Sequence, residues 1–206
     1  MEESRSQAVI AASYLIGIGF YSDLPGPYLP TDHDAPFLRP LIAFLLPTAA
    51  AVTYGIHRNI RKFDRLRSAE AFPESIYTAI VFRMMLFLMA LHTLVVADLI
   101  GVAWVRAWAG RGVLVLFGFL LIGIGNLLPC TRPNLALGLR TTRTFADRHL
   151  WIQIHRSGGY AAVFLGLVLA VSGAFLTGKT LPNAIGTAAI VAVSAVCISY
   201  WRYSHA

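Results

Sequence analysis

The feature that most limits this chain is its set of long apolar blocks, separated by stretches that gather nearly all of its charge. A helix needs about 20 consecutive apolar residues to cross the hydrocarbon core of a bilayer. Only helices or closed barrels satisfy every backbone N–H and C=O there. The strict apolar–polar alternation of a barrel strand is missing. The blocks predict spans at about 8–21, 37–56, 76–100, 112–128, 158–176 and 181–200. The expected fold is all-α: a polytopic helical membrane protein of about six transmembrane helices. Composition agrees, with 57% hydrophobic and 13% charged residues, against about 25% charged in a typical soluble domain.

The expected organisation is a single membrane domain over 1–206. Its 1–111 part holds spans one to three with an outer acidic loop, and 112–206 holds spans four to six. Span one is the weakest: at about 1.5 Å per residue it covers ~21 Å of a ~30 Å core. It either thins the bilayer or only dips into it. Glu2 and Glu3 stand where a cleaved signal peptide would carry positive charge, so the segment reads as retained. The 23–36 stretch is rich in proline and aspartate and should be an irregular loop. Pro47 should kink span two. Residues 57–75 and 129–157 read as polar loops, and 101–111 as a short connector.

Orientation follows from Lys and Arg asymmetry. With the N-terminus inside, twelve basic residues face inward: Arg5, Arg58, Arg61, Lys62, Arg65, Arg67, Arg132, Arg140, Arg143, Arg148, Arg156 and Arg202. Four face outward: Arg39, Arg106, Arg111 and Lys179. The expected arrangement is therefore N-in/C-in. The net charge of +7 is mostly that asymmetry, so no nucleic-acid partner is expected. Cys130 and Cys197 are too few for a disulfide framework. Cys130 reads as a free thiol and Cys197 as helix packing.

Three ionisable residues fall within span three: Arg83, His92 and Asp98. Such residues are functional candidates by default. Arg83 is close enough to the inner end to snorkel, and Asp98 should reach the outer interface. His92 is the deep one, and at ~100° per residue it lies nearly opposite Arg83. Span five carries Gly159, Ala162, Gly166, Ala170 and Gly173 on one stripe, a pattern that lets helix backbones approach closely. Span four, with Gly118 and Gly125, or a second copy of the chain could meet it; the oligomeric state stays open.

The most informative segment is 125–159, GNLLPCTRPNLALGLRTTRTFADRHLWIQIHRSGG. It is longer than a connector of ~4–6 residues needs to be. Pro129 and Pro133 fix φ, while Gly138 permits positive φ. Asn126 and Asn134 can bond to turns. Trp151 and His155 share a helix face, and arginines such as Arg140 and Arg156 can grip anionic groups through two parallel hydrogen bonds. The arginines also suit lipid headgroups, and Trp151, His155 and Arg156 suit an interfacial anchor.

This segment resembles the signature of the SdpI family of bacterial membrane immunity proteins, roughly G-N-x-x-P, then R-P-N-x-x-x-G-I-R-T-P-W-T-L, then W-x-x-x-H-R-x-G-G. Gly125, Asn126 and Pro129 match the first part; Arg132, Pro133, Asn134, Gly138, Arg140, Thr141 and Thr144 the second; Trp151, His155, Arg156, Gly158 and Gly159 the third. Leu139, Thr142, Arg143 and Phe145 depart from it. The resemblance is close over about 112–175. It implies a six-span protein of the bacterial plasma membrane. It also implies protection against a secreted peptide toxin, coupled to holding a cytoplasmic transcriptional regulator at the membrane. The binding residues it suggests are Asn126, Pro129, Asn134, Gly138, Arg140, Thr141, Trp151, His155 and Arg156.

No catalytic motif, metal-ligand cluster or phosphate-binding glycine loop is present in the sequence. Neither enzymatic activity, nor a cofactor, nor a metal is expected. A small transporter or ion-coupled permease is the alternative from another class, and an assembly subunit with no ligand of its own is the third. Deep paired charges and broken helices would mark the transporter.

Overall fold

The computed structural model describes residues 2–25, 38–67, 74–134 and 137–204. These residues form eight α-helices: α1 Glu2–Gly19, α2 Leu38–Arg67, α3 Glu74–Leu99, α4 Ala103–Arg106, α5 Ala109–Gly125, α6 Thr142–Ala146, α7 Arg148–Phe175 and α8 Thr180–Ser204. A 3₁₀ turn, Leu128–Cys130, follows α5. The protein is thus a helical membrane protein. Five helices, α2, α3, α5, α7 and α8, are long and apolar enough to span a bilayer.

The remaining long helix, α1, misses that mark because Glu2, Glu3 and Arg5 occupy its first turns. It is nevertheless part of the bundle. Val9 and Ile10 pack on the cluster of Ala50, Tyr77, Val81 and Met85. At its other end Ile16 and Leu24 pack with Ala43 and Val96. From Tyr77 to Val96, α3 rises about 28 Å, so α1 and its trailing turn accompany α3 over most of a bilayer's thickness. The helix also starts at Glu2 rather than near residue 8, which gives it length the apolar block alone did not promise.

Other boundaries move for local reasons. The 57–75 stretch is helix as far as Arg67, not loop. Its HRNIRKFDRLR sequence holds neither Gly nor Pro and is rich in Arg and Lys, good helix formers. Pro47 lies inside α2 and leaves the Ala43 carbonyl without its i+4 donor. The 101–111 connector contains α4, and α5 begins at Ala109 rather than Gly112. The 129–157 loop is half helix: α7 begins at Arg148, well before Gly158. Asp147 explains that start, since its carboxylate caps the helix by accepting from the backbone N–H of His149 and Leu150 at 2.7 and 3.1 Å. The outer loop expected at 23–36 lies outside the described residues beyond position 25.

The helices fall into two groups. One comprises α1, α2 and α3, the other α5, α7 and α8, and α3 packs on α5 to join them. Tracing the chain places both termini at the same end of the bundle as the 126–147 connection. The 100–108 connector lies at the opposite end.

In the second group, α5 and α7 meet through glycine. A Cβ at Gly166 would lie 2.6 Å from the Gly118 carbonyl oxygen, and one at Gly159 would lie 2.6 Å from that of Gly125. Gly173 meets the Arg111 carbonyl in the same way at 3.0 Å. Ala170 faces Gly118, whereas Ala162 is half-buried. Cys197, expected in packing, is exposed on α8, and Cys130 is also exposed; both are free thiols.

Candidate functional site

The connection from α5 to α7 folds over the end of the bundle, and its polar residues divide into an inward set and an outward set. Trp151 is the floor of the inward set. It is fully buried in the first turns of α7, and its indole N–H donates to the Thr131 carbonyl at 3.2 Å. That bond ties the segment after the 3₁₀ turn to α7. Thr131 is fixed in turn by donating to the Leu128 carbonyl at 2.7 Å. Phe145 packs against the indole at 5.8 Å.

His155 lies one helical turn on and stacks on Trp151, with ring centroids 3.9 Å apart. It is 2% exposed. Its Nδ1 sits 2.8 Å from the Trp151 carbonyl, an acceptor, so Nδ1 carries the proton. Its Nε2 accepts from the Leu139 backbone N–H at 3.1 Å. Only the neutral imidazole satisfies both partners, because a second ring proton would point at another N–H.

Gly138 explains why His155 reaches the loop at all. Its φ is +100°, a region that favours glycine. A Cβ there would collide with His155 Nε2. The Gly138–His155 pair is therefore one unit, a backbone corner resting on an imidazole edge. Asn134 closes the turn before it. Its amide donates to the Arg132 carbonyl at 2.7 Å and its Oδ1 accepts from Leu137 N–H at 2.7 Å. Asn134 is 4% exposed. Leu137 packs on the Tyr77 and Met85 cluster, which seats the loop on the first helical group.

Thr141 and Thr144 complete the inward set. Each accepts the other's backbone N–H, at 3.1 Å for Thr144 N and 2.9 Å for Thr141 N, a reciprocal cap at the start of α6. Buried Thr144 also donates to the Leu139 carbonyl at 2.9 Å. The Tyr200 hydroxyl reaches Thr141 Oγ1 at 3.3 Å, and Arg143 donates to the Ser204 carbonyl at 3.3 Å. A cation at the C-terminal end of α8 suits the helix dipole. Arg143 thus has a local task although it departs from the family pattern.

The outward set comprises Arg140, Arg148 and Arg156, all exposed. Arg140 sits on the loop between the Gly138 corner and the Thr141 cap. The Nε of Arg156 donates to the Tyr160 hydroxyl at 3.1 Å, and its guanidinium stacks on that ring. Ile152, Arg156, Tyr160, Phe164, Leu167, Val171 and Phe175 form one exposed stripe along α7. Arg156 therefore lies on an exposed, largely apolar face of α7 that points away from the loop. Asn126 ends α5 and is exposed, and Pro129 fills the space over Gly159.

The intramembrane candidates do not join this site. Arg83 lies against Gly123 of α5, with Nη1 buried and no hydrogen bond to it. His92 faces the first helical group instead, where Nδ1 lies 2.9 Å from the Ser13 hydroxyl and Nε2 is buried without a hydrogen bond. Asp98 is half-buried near the opposite end of the bundle.

Thr131, Thr144, Asp147 and Tyr200 were not singled out as site residues from the sequence. Two of them had a local signal: the T-x-x-T spacing of 141–144, and an aspartate just before a helix. Nothing local marks Thr131 or Tyr200, whose roles depend on residues 20 and 59 positions away.

The SdpI/YfhL protein family matches over residues 130–200. This covers Asn134 to Arg156 and all of α7 and most of α8, while Asn126 and Pro129 precede it. The resemblance carried by the motif residues holds over that region, about a third of the chain, and this part of the helical membrane protein is similar to that family. No curated protein and no solved structure matches it.

Proposed function

We propose that the protein protects a bacterial cell against a secreted peptide toxin and holds a cytoplasmic regulator at the plasma membrane, with the 126–159 segment as its working surface. The observation that carries this reading is the closed network beneath Arg140. Trp151, His155, Thr144 and Asn134 are buried and hydrogen-bonded into the loop backbone. A mere connector needs no such base, whereas a recognition surface does, because ordering it beforehand lowers the cost of binding. The twelve-to-four charge split makes this end the inner one.

Within this reading Arg140 is the contact residue. Its planar fork suits a carboxylate or phosphate, and the neighbouring exposed Leu139 and Phe145 add apolar area. Arg140→Lys keeps the charge that directs insertion but loses the fork. The test is survival of a sensitive bacterium expressing each variant and challenged with the peptide encoded beside the gene. The expected result is loss of protection in Arg140→Lys and Arg140→Ala at normal expression. Full protection by both variants rejects the site.

A further inference from the structure

At the end of the bundle opposite the motif segment, α3, the α4 connector, α5 and the last turn of α7 line an open apolar groove of about 880 Å³. That is within the ~300–1,000 Å³ of pockets that hold small ligands. Met89 and Leu94 of α3 form one wall and Leu116 of α5 the other. Trp104, Val105 and Trp108 close it at the bundle end. From Met89 to Ala97 the α3 wall rises about 12 Å, close to one leaflet's depth of hydrocarbon.

A cation stands beside the groove. The Arg111 guanidinium lies 4.1 Å above the Trp108 ring, and Trp108 lines the groove. Arg106 is exposed on the same connector. No acidic side chain is among the described residues that line the groove. Trp104 is 74% exposed, as suits an indole at the membrane interface. A molecule complementary to this arrangement carries a long apolar tail and an anionic head. We propose that the groove holds an acyl chain of an anionic phospholipid, with its phosphate on Arg111.

Ordinary lipid around the protein would wet the groove as well, but it would show no preference for headgroup. The proposal therefore turns on charge. The full-length protein, purified in detergent, is incubated with phosphatidylglycerol or phosphatidylcholine and analysed by native mass spectrometry. One phosphatidylglycerol per chain is expected to be retained, at least tenfold more than phosphatidylcholine. Arg111→Gln should bring retention down to the phosphatidylcholine level. Arg111→Lys should keep it, which separates loss of charge from loss of fold. Leu94→Trp, which narrows the groove, should reduce both lipids, while Arg58→Gln at the other end should change neither. Equal retention of the two lipids, no retention, retention unaffected by Arg111→Gln or Leu94→Trp, or a tightly held peptide in place of lipid would overturn the proposal.

Discussion

The first helical group and the second hold their helices together by different means. In α1–α3 side-chain hydrogen bonds cross between the helices, Ser13 with His92, Tyr14 with Thr48 at 3.0 Å, and the Tyr77 hydroxyl with the His57 carbonyl at 3.0 Å, beside one close backbone approach, Gly17 on the Ala43 carbonyl. Rings add to them, with Tyr14 and Tyr21 stacked on Phe44. In α5 and α7 the contact is backbone on backbone, through Gly118, Gly125, Gly159, Gly166 and Gly173. Lipid tails are as apolar as leucine, so hydrophobicity does not draw helices together inside a bilayer. What remains is dispersion between closely fitted surfaces, or hydrogen bonds; α1–α3 combine the two, while α5 and α7 rely chiefly on the first.

The difference bears on the proposed working surface. The motif segment is founded on the glycine-packed pair: Trp151 and His155 are residues of α7, and Pro129 fills the space over Gly159. A fitted backbone contact allows little sliding, because packed interiors respond to the volume of even one methylene. The surface therefore has a stiff base.

The largest effect should come from the joint between the base and the loop. Trp151→Ala removes a fully buried indole together with its bond to Thr131. Truncating a buried aromatic costs about 3–5 kcal/mol. Thermal unfolding in detergent measures the loss, and protease cleavage within 131–147 should rise with it. A loss under ~1 kcal/mol, with the segment still protected, would mean that the loop is ordered without its floor, and the link between the two would be broken.

The next effect tests the glycine contact itself. Gly166→Leu would drive a side chain into the Gly118 carbonyl and Ile122, and overpacking of this kind costs about 1–3 kcal/mol. Gly158→Leu is its control, because a Cβ at Gly158 meets nothing within 4 Å. Equal melting temperatures for both variants would show that glycine packing does not distinguish this group.

The glycine group was more legible in the sequence than the hydrogen-bonded one. Gly159, Gly166 and Gly173 repeat at seven, as do Gly118 and Gly125, so the sequence alone placed each set on one helix face. The contact between His92 and Ser13 leaves no such trace, since the partners are 79 residues apart and neither recurs. The motif residues were legible as a group but not by direction. Spacing put Trp151 and His155 on one face; only the fold turns that face under the loop and leaves Arg156 on the exposed face of α7. Helix ends moved most where charge was mistaken for loop, at 57–67 and 148–157, because hydropathy marks where a membrane stops and not where a helix does.

The smallest effect should come from the first group. Ser13→Ala removes the partner of His92 Nδ1, and hydrogen bonds between membrane helices average only ~0.6 kcal/mol, because the unfolded chain in the membrane also finds partners. The site has an unusual balance. Pro47 withholds a donor from the Ala43 carbonyl, and Gly17 lies so close to that oxygen that a Cβ there would collide with it. His92 keeps its Nε2 without a hydrogen bond, so losing Ser13 removes the side-chain partner at its other nitrogen. The expected loss is thus near ~1 kcal/mol, and below that of Gly166→Leu. His92→Leu strands the buried Ser13 hydroxyl instead, whereas the double variant removes both partners and should be closer to neutral than either single one. The coupling between the two positions, from the single and double variants, measures the bond directly. A coupling above ~2 kcal/mol would make the first group as dependent on this one bond as the second is on its glycines, and the contrast between the two halves would fail.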